Sequence, residues 1–307
     1  MKTALLFAGQ GSQVVGMGRD LCERSVSCRQ LFEQANDILG RDIRKICFEG
    51  PETVLTQTDN AQPGIFLTSL ACLAALRERI PDLQFQATAG LSLGEFTALT
   101  AAGVMTFDDA LRTVEARGRF MQEACETTDG SMASVLGMEE GALGEVCREA
   151  GIDMANLNCP GQIVISGSRD KVAKAVELAK ARGAKRAIPL QVAGAYHSRL
   201  MGEAQTKLAA TLATVSFQPT TTIVVHNVTA RPADGPAAIK DLLVRQVTSS
   251  VRWSDSVQWL VAQGFTRFIE LGPGNVLSGL MRRIDSTVTM LNVSDGAALE
   301  ATVAKLS

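Results

Sequence analysis

Gly90-Leu91-Ser92-Leu93-Gly94 fits G-x-S-x-G, the tight turn that lifts a serine hydroxyl between a strand and a helix. A serine in that setting is a candidate nucleophile. The turn is crowded, so a Cβ at either glycine would meet the neighbouring strand or helix. It also aims the backbone N–H of Leu93, at the helix N-terminus, toward the reacting centre as an oxyanion donor. A serine near neutral pH needs a base for its proton, and histidine is the usual one. The chain has only two histidines. His197 lies in Gly194-Ala195-Tyr196-His197-Ser198, between a glycine-bearing loop and a helix, a position suited to facing a cleft. His226 ends an apolar strand beside Asn227 and reads equally as a capped or surface histidine, so His197 is the better candidate. A triad would need an acid between Ser92 and His197. Asp129, Asp153 and Asp170 fall there, none in a triad context. A dyad is therefore expected, with the histidine oriented by a backbone carbonyl.

Arg117 is the third residue of chemical interest. A helix is expected from Phe107 to about Glu126, with Ala110, Val114, Arg117 and Met121 on one stripe beside Leu111 and Phe120. Arg112, Glu115, Arg119 and Glu123 take the other side. A cation on the apolar stripe either snorkels at its edge or meets an anionic partner such as a substrate carboxylate. The loop Gly9-Gln10-Gly11-Ser12-Gln13 is glycine-rich, and its N–H groups are able to face an anion. It is not a dinucleotide loop, because Val14 stands where the third glycine of G-x-G-x-x-G belongs. It is not a P-loop, because Gly16 is followed by Met17-Gly18 rather than Lys-Ser/Thr.

The elements around these residues alternate strands and helices. Thr3 to Ala8 reads as a buried strand, and Val26–Leu39 and Gly64–Arg79 as helices, the second with Pro63 near its start. Ala87–Ala89 is a short strand, and Glu95–Ala102 a helix that stops at Gly103. Residues 131–191 change character: strand 132–137, helix 139–150, strands 154–158 and 163–167 around the turn Cys159-Pro160-Gly161-Gln162, helix 170–182 and strand 184–190. That β-α-β-β-α-β order is ferredoxin-like. Strands at 221–225, 265–271 and 287–293 follow, with helices from Arg199 to about Thr214, after Trp253 and up to Arg283. The fold class expected is α/β: a large hydrolase-like domain with a parallel sheet (1–128 and 192–307) and an inserted ferredoxin-like βαββαβ small domain (129–191).

Composition bounds the function classes. The 307 residues are 46% hydrophobic and 20% charged, ordinary for a globular enzyme. A net charge of −2 without a Lys/Arg run argues against bulk nucleic-acid binding. The apolar run at Met1–Ala8 is too short for a signal peptide, and no segment approaches a membrane span. Seven cysteines without C-x-x-C spacing suggest reduced core thiols in a cytoplasmic protein, and no zinc site is expected.

Together the motifs resemble the malonyl-CoA:acyl carrier protein transacylase family, essentially from end to end. The resemblance runs through Phe7-Ala8-Gly9-Gln10-Gly11-Ser12-Gln13, the serine turn with Glu95, and Arg117-Gly118-Arg119. It continues through Asn158 with Pro160-Gly161-Gln162, Gly194–Ser198, Gln246 before Thr248-Ser249, and Glu270-Leu271-Gly272-Pro273-Gly274. It implies that Ser92 carries the malonyl ester and that His197 is general base and acid. It further implies that the Gln246 carbonyl holds the histidine, that the N–H groups of Gln10 and Leu93 form the oxyanion hole, and that Arg117 grips the malonyl carboxylate. Malonyl-CoA as substrate, acyl carrier protein as partner, no permanently bound cofactor, and a cytoplasmic monomer are the corresponding expectations. The carrier is acidic in this family, so Lys185-Arg186 or Arg282-Arg283 is expected to attract it. Four positions depart from the usual pattern: Leu91 for histidine, Phe96 for tyrosine, Arg199 for proline and Asn275 for lysine. The alternatives are a serine thioesterase or hydrolase, which does not require a buried arginine, and a discrete acyltransferase of a polyketide or malonate decarboxylase system. The chain carries no flanking ketosynthase or carrier segment, which disfavours a multidomain enzyme. A non-catalytic protein on the same scaffold is disfavoured by Ser92, His197, Arg117 and Gln10 occurring together.

Overall fold

The structure, a computed structural model, describes Met1–Leu306. Among the described residues nine strands occur in chain order: β1 (Lys2–Phe7), β2 (Ala87–Gly90), β3 (Gly130–Leu136), β4 (Asp153–Cys159), β5 (Gln162–Ser168), β6 (Arg186–Pro189), β7 (Ile223–Val225), β8 (Phe265–Leu271) and β9 (Thr289–Val293). They form two sheets, one in each of two compact units.

The first unit comprises Met1–Gly118, Val215–Val225 and the chain from Leu260 onward. Its sheet runs β7-β2-β1-β8-β9, and every pairing is parallel. Strands of a parallel sheet are covered on both faces and so read as unbroken apolar runs. Ala4, Leu5, Leu6 and Phe7 of the central strand are accordingly all buried. Register brings the strand ends level: Phe7 lies opposite Gly90 on one side and Leu271 on the other. The loops that follow β1, β2 and β8 therefore leave one edge of the sheet together. That carboxyl edge is where ligands of open α/β sheets bind.

The helix expected from Gly64 begins six residues earlier and spans Thr58–Arg79, with Pro63 inside it. Proline has no N–H for the carbonyl four residues back, here Asp59. Arg41 supplies the substitute, its Nη2 donating to the Asp59 carbonyl at 2.8 Å. With that carbonyl satisfied, the first turn persists. It carries Gln62, which is fully buried.

The second unit comprises Arg119–Thr214 and His226–Trp259. Its sheet runs β4-β5-β3-β6 and is antiparallel. The helices Glu140–Ala150 and Arg169–Ala181 bury Leu143, Val146, Cys147 and Ala150, and Val172, Ala175, Val176 and Ala179. Both sets follow the i, i+3, i+4, i+7 stripe, and both join one core with Val135, Ile163 and Ile165 from the sheet. Each large apolar side chain so buried contributes about 1.5–3 kcal/mol. The order β-α-β-β-α-β and the two-residue turn Pro160-Gly161 are as the sequence predicts, Gly161 taking a φ of 69°.

Candidate active site

Ser92 follows β2 and stands in the left-handed region, at φ 54°. A non-glycine residue adopts that conformation at a cost of about 1–3 kcal/mol and keeps it only where the surroundings impose it. Here Leu91 N donates to the Phe7 carbonyl at 3.2 Å, Gly94 N to the Leu91 carbonyl at 3.0 Å, and Glu95 N to the Ser92 carbonyl at 3.1 Å. A Cβ on Gly90 would lie 2.6 Å from Glu95 N, and one on Gly94 would lie 2.9 Å from the Ala8 carbonyl oxygen. Both glycines are thus required by close approach. The turn employs the amides of Leu91, Gly94, Glu95 and Phe96. It leaves out that of Leu93, which stands at the N-terminus of the helix Gly94–Ala101, where the aligned peptide dipoles favour negative charge.

Arg117 is 1% exposed, which rules out snorkelling. Its Nη2 donates to Ser92 Oγ at 3.0 Å and its Nη1 to Gln62 Oε1 at 2.6 Å. The guanidinium carbon lies 5.5 Å from the centre of the Phe96 ring, a cation–π contact. Gln62 Nε2 in turn donates to Gln10 Oε1 at 3.3 Å. One continuous set of side chains, Ser92–Arg117–Gln62–Gln10, therefore joins the serine turn to the loop after β1. Gln62 is the residue that the sequence reading missed. Its signal is a polar amide one residue before a proline in an otherwise apolar helix.

In the second unit His197 is buried and also left-handed, at φ 55°. Its Nδ1 lies 2.8 Å from the backbone carbonyl of Gln246, the last residue of the helix Pro236–Gln246. A carbonyl can only accept, so Nδ1 carries the proton, and in the neutral ring Nε2 then keeps the lone pair. That is the tautomer a general base needs. Ser198 braces the loop, its Oγ donating to the Ala195 carbonyl at 2.7 Å and accepting from Leu200 N at 3.2 Å. The candidate acids are engaged elsewhere. Asp129 pairs with Arg169 at 2.8 Å, Asp153 pairs with Arg199 at 2.7 Å, and Asp170 opens the helix Arg169–Ala181. His226 is 1% exposed, and its backbone closes a small turn with Ala230 and Arg231. It is a core histidine, not a surface one.

Residues 4–300 match the acyl transferase domain family. The malonyl CoA-acyl carrier protein transacylase of Bacillus subtilis (strain 168) is 45% identical over 312 residues, covering 99% of this chain and 97% of that protein. The chain belongs to the malonyl CoA-acyl carrier protein transacylase family. Solved structures agree with this transacylase fold. An acyl-carrier-protein-S-malonyltransferase from Bartonella henselae superposes with a TM-score of 0.95 at 39% identity, covering 100% of this chain and 99% of that one. A malonyl-transacylase solved in complex with its type II PKS acyl-carrier protein superposes with a TM-score of 0.95 at 37% identity, covering 99% and 100%.

Other motifs of the transacylase have structural roles. Glu270, at 0% exposure, accepts from Leu277 N at 2.9 Å, Ser278 N at 2.8 Å and Ser278 Oγ at 2.5 Å. It thereby caps the helix Val276–Ile284 from the end of β8. Burial pushes its carboxyl above the usual glutamate range, and these hydrogen bonds pull partly the other way. All seven cysteines are free and buried. Burial raises the thiols of Cys22, Cys47 and Cys147 to about 12 and those of Cys28, Cys72 and Cys125 in the same direction. Among the described residues no three His, Cys, Asp or Glu side chains converge as metal ligands, and no helix is long and apolar enough to cross a membrane.

Proposed function

We propose that the chain transfers the malonyl group of malonyl-CoA to the phosphopantetheine thiol of acyl carrier protein through a malonyl ester on Ser92, supplying fatty-acid elongation. The observation that carries this reading is the buried Arg117 guanidinium, 3.0 Å from the Ser92 hydroxyl. A planar fork suits a carboxylate, and a malonyl group presents one two carbons from the carbonyl that the serine attacks. A thioesterase acting on neutral acyl chains has no use for a cation there.

In the proposed sequence His197 Nε2 takes the proton from Ser92 Oγ as that oxygen attacks the thioester carbonyl. The oxyanion of the tetrahedral intermediate accepts hydrogen bonds from the N–H groups of Leu93 and Gln10. The C–S bond then breaks, and coenzyme A leaves with the proton held by His197. The carrier thiol repeats the steps in reverse sense: His197 takes its proton, sulfur attacks the ester carbonyl, and Ser92 departs reprotonated. The Gln246 carbonyl accepts from Nδ1–H in both the neutral and the protonated ring, so the proton is taken up and released at Nε2. Residues 129–191 are proposed to act as one inserted folding unit, since β3–β6 and their two helices share a core of their own. A monomer in the cytoplasm is proposed too. Its support is the small number of exposed large apolar side chains and the seven free thiols.

The decisive experiment isolates the malonyl-enzyme, removes free malonyl-CoA, and follows decay of the ester with and without holo carrier protein. Much faster decay with the carrier supports transfer. Equal rates in the two tubes identify water as the acceptor and a hydrolase as the enzyme.

A further inference from the structure

We propose that Asp153 and Arg199 are positioning residues for His197, fastening its loop to β4 so that Nδ1 stays on the Gln246 carbonyl. The proposal rests on the reading of His197 as the base.

His197 sits at φ 55°, a conformation that relaxes unless something holds it. Two residues on, Arg199 makes three bonds to one carboxylate. Its Nη2 donates to Asp153 Oδ1 at 2.7 Å, its Nε to Oδ2 at 3.1 Å, and its backbone N–H to Oδ2 at 3.0 Å. The side chains are 64% and 27% exposed, so solvent screens the attraction of the charges. What remains is geometry. The fork fixes the guanidinium on the carboxylate, and the third bond ties the main chain of the loop itself.

The same strand anchors the other half of the pair. Val251 N donates to the Ala155 carbonyl at 2.8 Å, Leu157 N to the Val251 carbonyl at 2.9 Å, and Ser250 Oγ to the Met154 carbonyl at 2.5 Å. The register of β4 on β5 slips between Met154 and Asn156, which frees Ala155 from that ladder and turns its carbonyl to Val251. Gln246 lies five residues before Val251, joined by a turn in which Ser249 N donates to the Gln246 carbonyl at 3.4 Å. The imidazole loop and the carbonyl it bonds thus hang from one five-residue stretch, Asp153–Leu157. A 2.8 Å hydrogen bond tolerates little relative movement of its two sides. Releasing the loop from Asp153 lengthens that bond and admits the other imidazole tautomer.

The test uses the full-length enzyme labelled with 15N. With two histidines in the chain, the His197 ring signals are assigned by comparison with His197→Ala. In the wild type the two His197 ring nitrogens should show the widely separated shifts of a single Nδ1–H tautomer. In Asp153→Ala and in Arg199→Ala those shifts should converge, while the His226 ring is unmoved. kcat for malonyl transfer should fall about tenfold, a part of the 10²–10⁴ that a general base contributes, with KM for malonyl-CoA within about twofold. Asp153→Asn keeps one acceptor oxygen and should fall between wild type and Asp153→Ala on both readouts. If Asp153→Ala fails to fold, Arg199→Ala and Asp153→Asn carry the same comparison. Wild-type ring shifts and wild-type kcat in the folded variants overturn the proposal. Full activity in His197→Ala instead overturns the assignment of the base, a result that the ring shifts distinguish because they do not depend on turnover.

Discussion

Arg117→Ala is the substitution whose effect follows most directly from the geometry, and we predict a change of specificity rather than a uniform loss. The guanidinium is 1% exposed, is held by Gln62 Oε1 at 2.6 Å, and lies 3.0 Å from Ser92 Oγ. A carboxylate bound there makes two charge-assisted hydrogen bonds, each contributing about 1.5–3 kcal/mol. The pair sums to about 3–5 kcal/mol after the cost of stripping water from the malonyl group. At about 1.4 kcal/mol per decade, kcat/KM for malonyl-CoA should fall by about 10²–10⁴. Acetyl-CoA presents no carboxylate, so its transfer should be unchanged or improved, because the cation no longer occupies the acyl site. Arg117→Lys keeps the charge without the fork and should fall between. The assay is kcat/KM for both thioesters with holo carrier protein, wild type against the two variants. An unchanged malonyl-to-acetyl ratio in Arg117→Ala refutes the reasoning, since general damage to Ser92 would depress both substrates together.

Three further outcomes are predicted. His197→Ala should lose about 10²–10⁴ in kcat while His226→Ala, a core substitution, loses stability and keeps its turnover per folded molecule; steady-state rates normalised to the folded fraction decide it. The native enzyme should expose no thiol to an aromatic disulfide reagent over minutes and all seven after denaturation, because every cysteine is buried and burial pushes the thiols of Cys22, Cys28, Cys47, Cys72, Cys125 and Cys147 upward. Glu270 has its folded pKa raised from 4.5, so the native state holds that proton more tightly than the unfolded chain does. Its contribution is therefore greatest below about pH 4.5 and is lost as pH rises through the folded value; the difference in urea midpoint between wild type and Glu270→Gln should narrow or reverse across that window, and a pH-independent difference would contradict the sign.

The parts of this site that show in the sequence are those whose residue type is forced by local geometry. Gly90 and Gly94 are legible because a Cβ at either meets backbone. Arg117 is legible because helical periodicity places a cation on a buried stripe, and the small domain because its two helices carry the i, i+3, i+4, i+7 stripe and its middle strands flank the turn Pro160-Gly161. What escaped depends on distant partners. Gln62 was hidden by Pro63, which marks a helix start until Arg41 is seen taking the Asp59 carbonyl. The helix Pro236–Gln246 is not among the elements expected from the sequence, although Ile239, Leu242, Leu243 and Gln246 form its buried stripe. Gln246 meets His197 through a backbone carbonyl, which leaves no mark in a residue type, so only the family resemblance pointed to it. The left-handed φ of His197 has no sequence signal at all. Nor does the order β7-β2-β1-β8-β9, which is set by long crossovers.

The central claim is that Ser92 carries the acyl group between two thiols. Intact-protein mass spectrometry after a brief exposure to malonyl-CoA tests it with the fewest assumptions. The wild type should gain one malonyl group, mapped by peptide digestion to the segment containing Ser92, and should return to its starting mass when holo carrier protein is added. Ser92→Ala should gain nothing. A malonyl adduct that persists in Ser92→Ala, or a wild-type adduct that holo carrier protein does not discharge, would contradict the account.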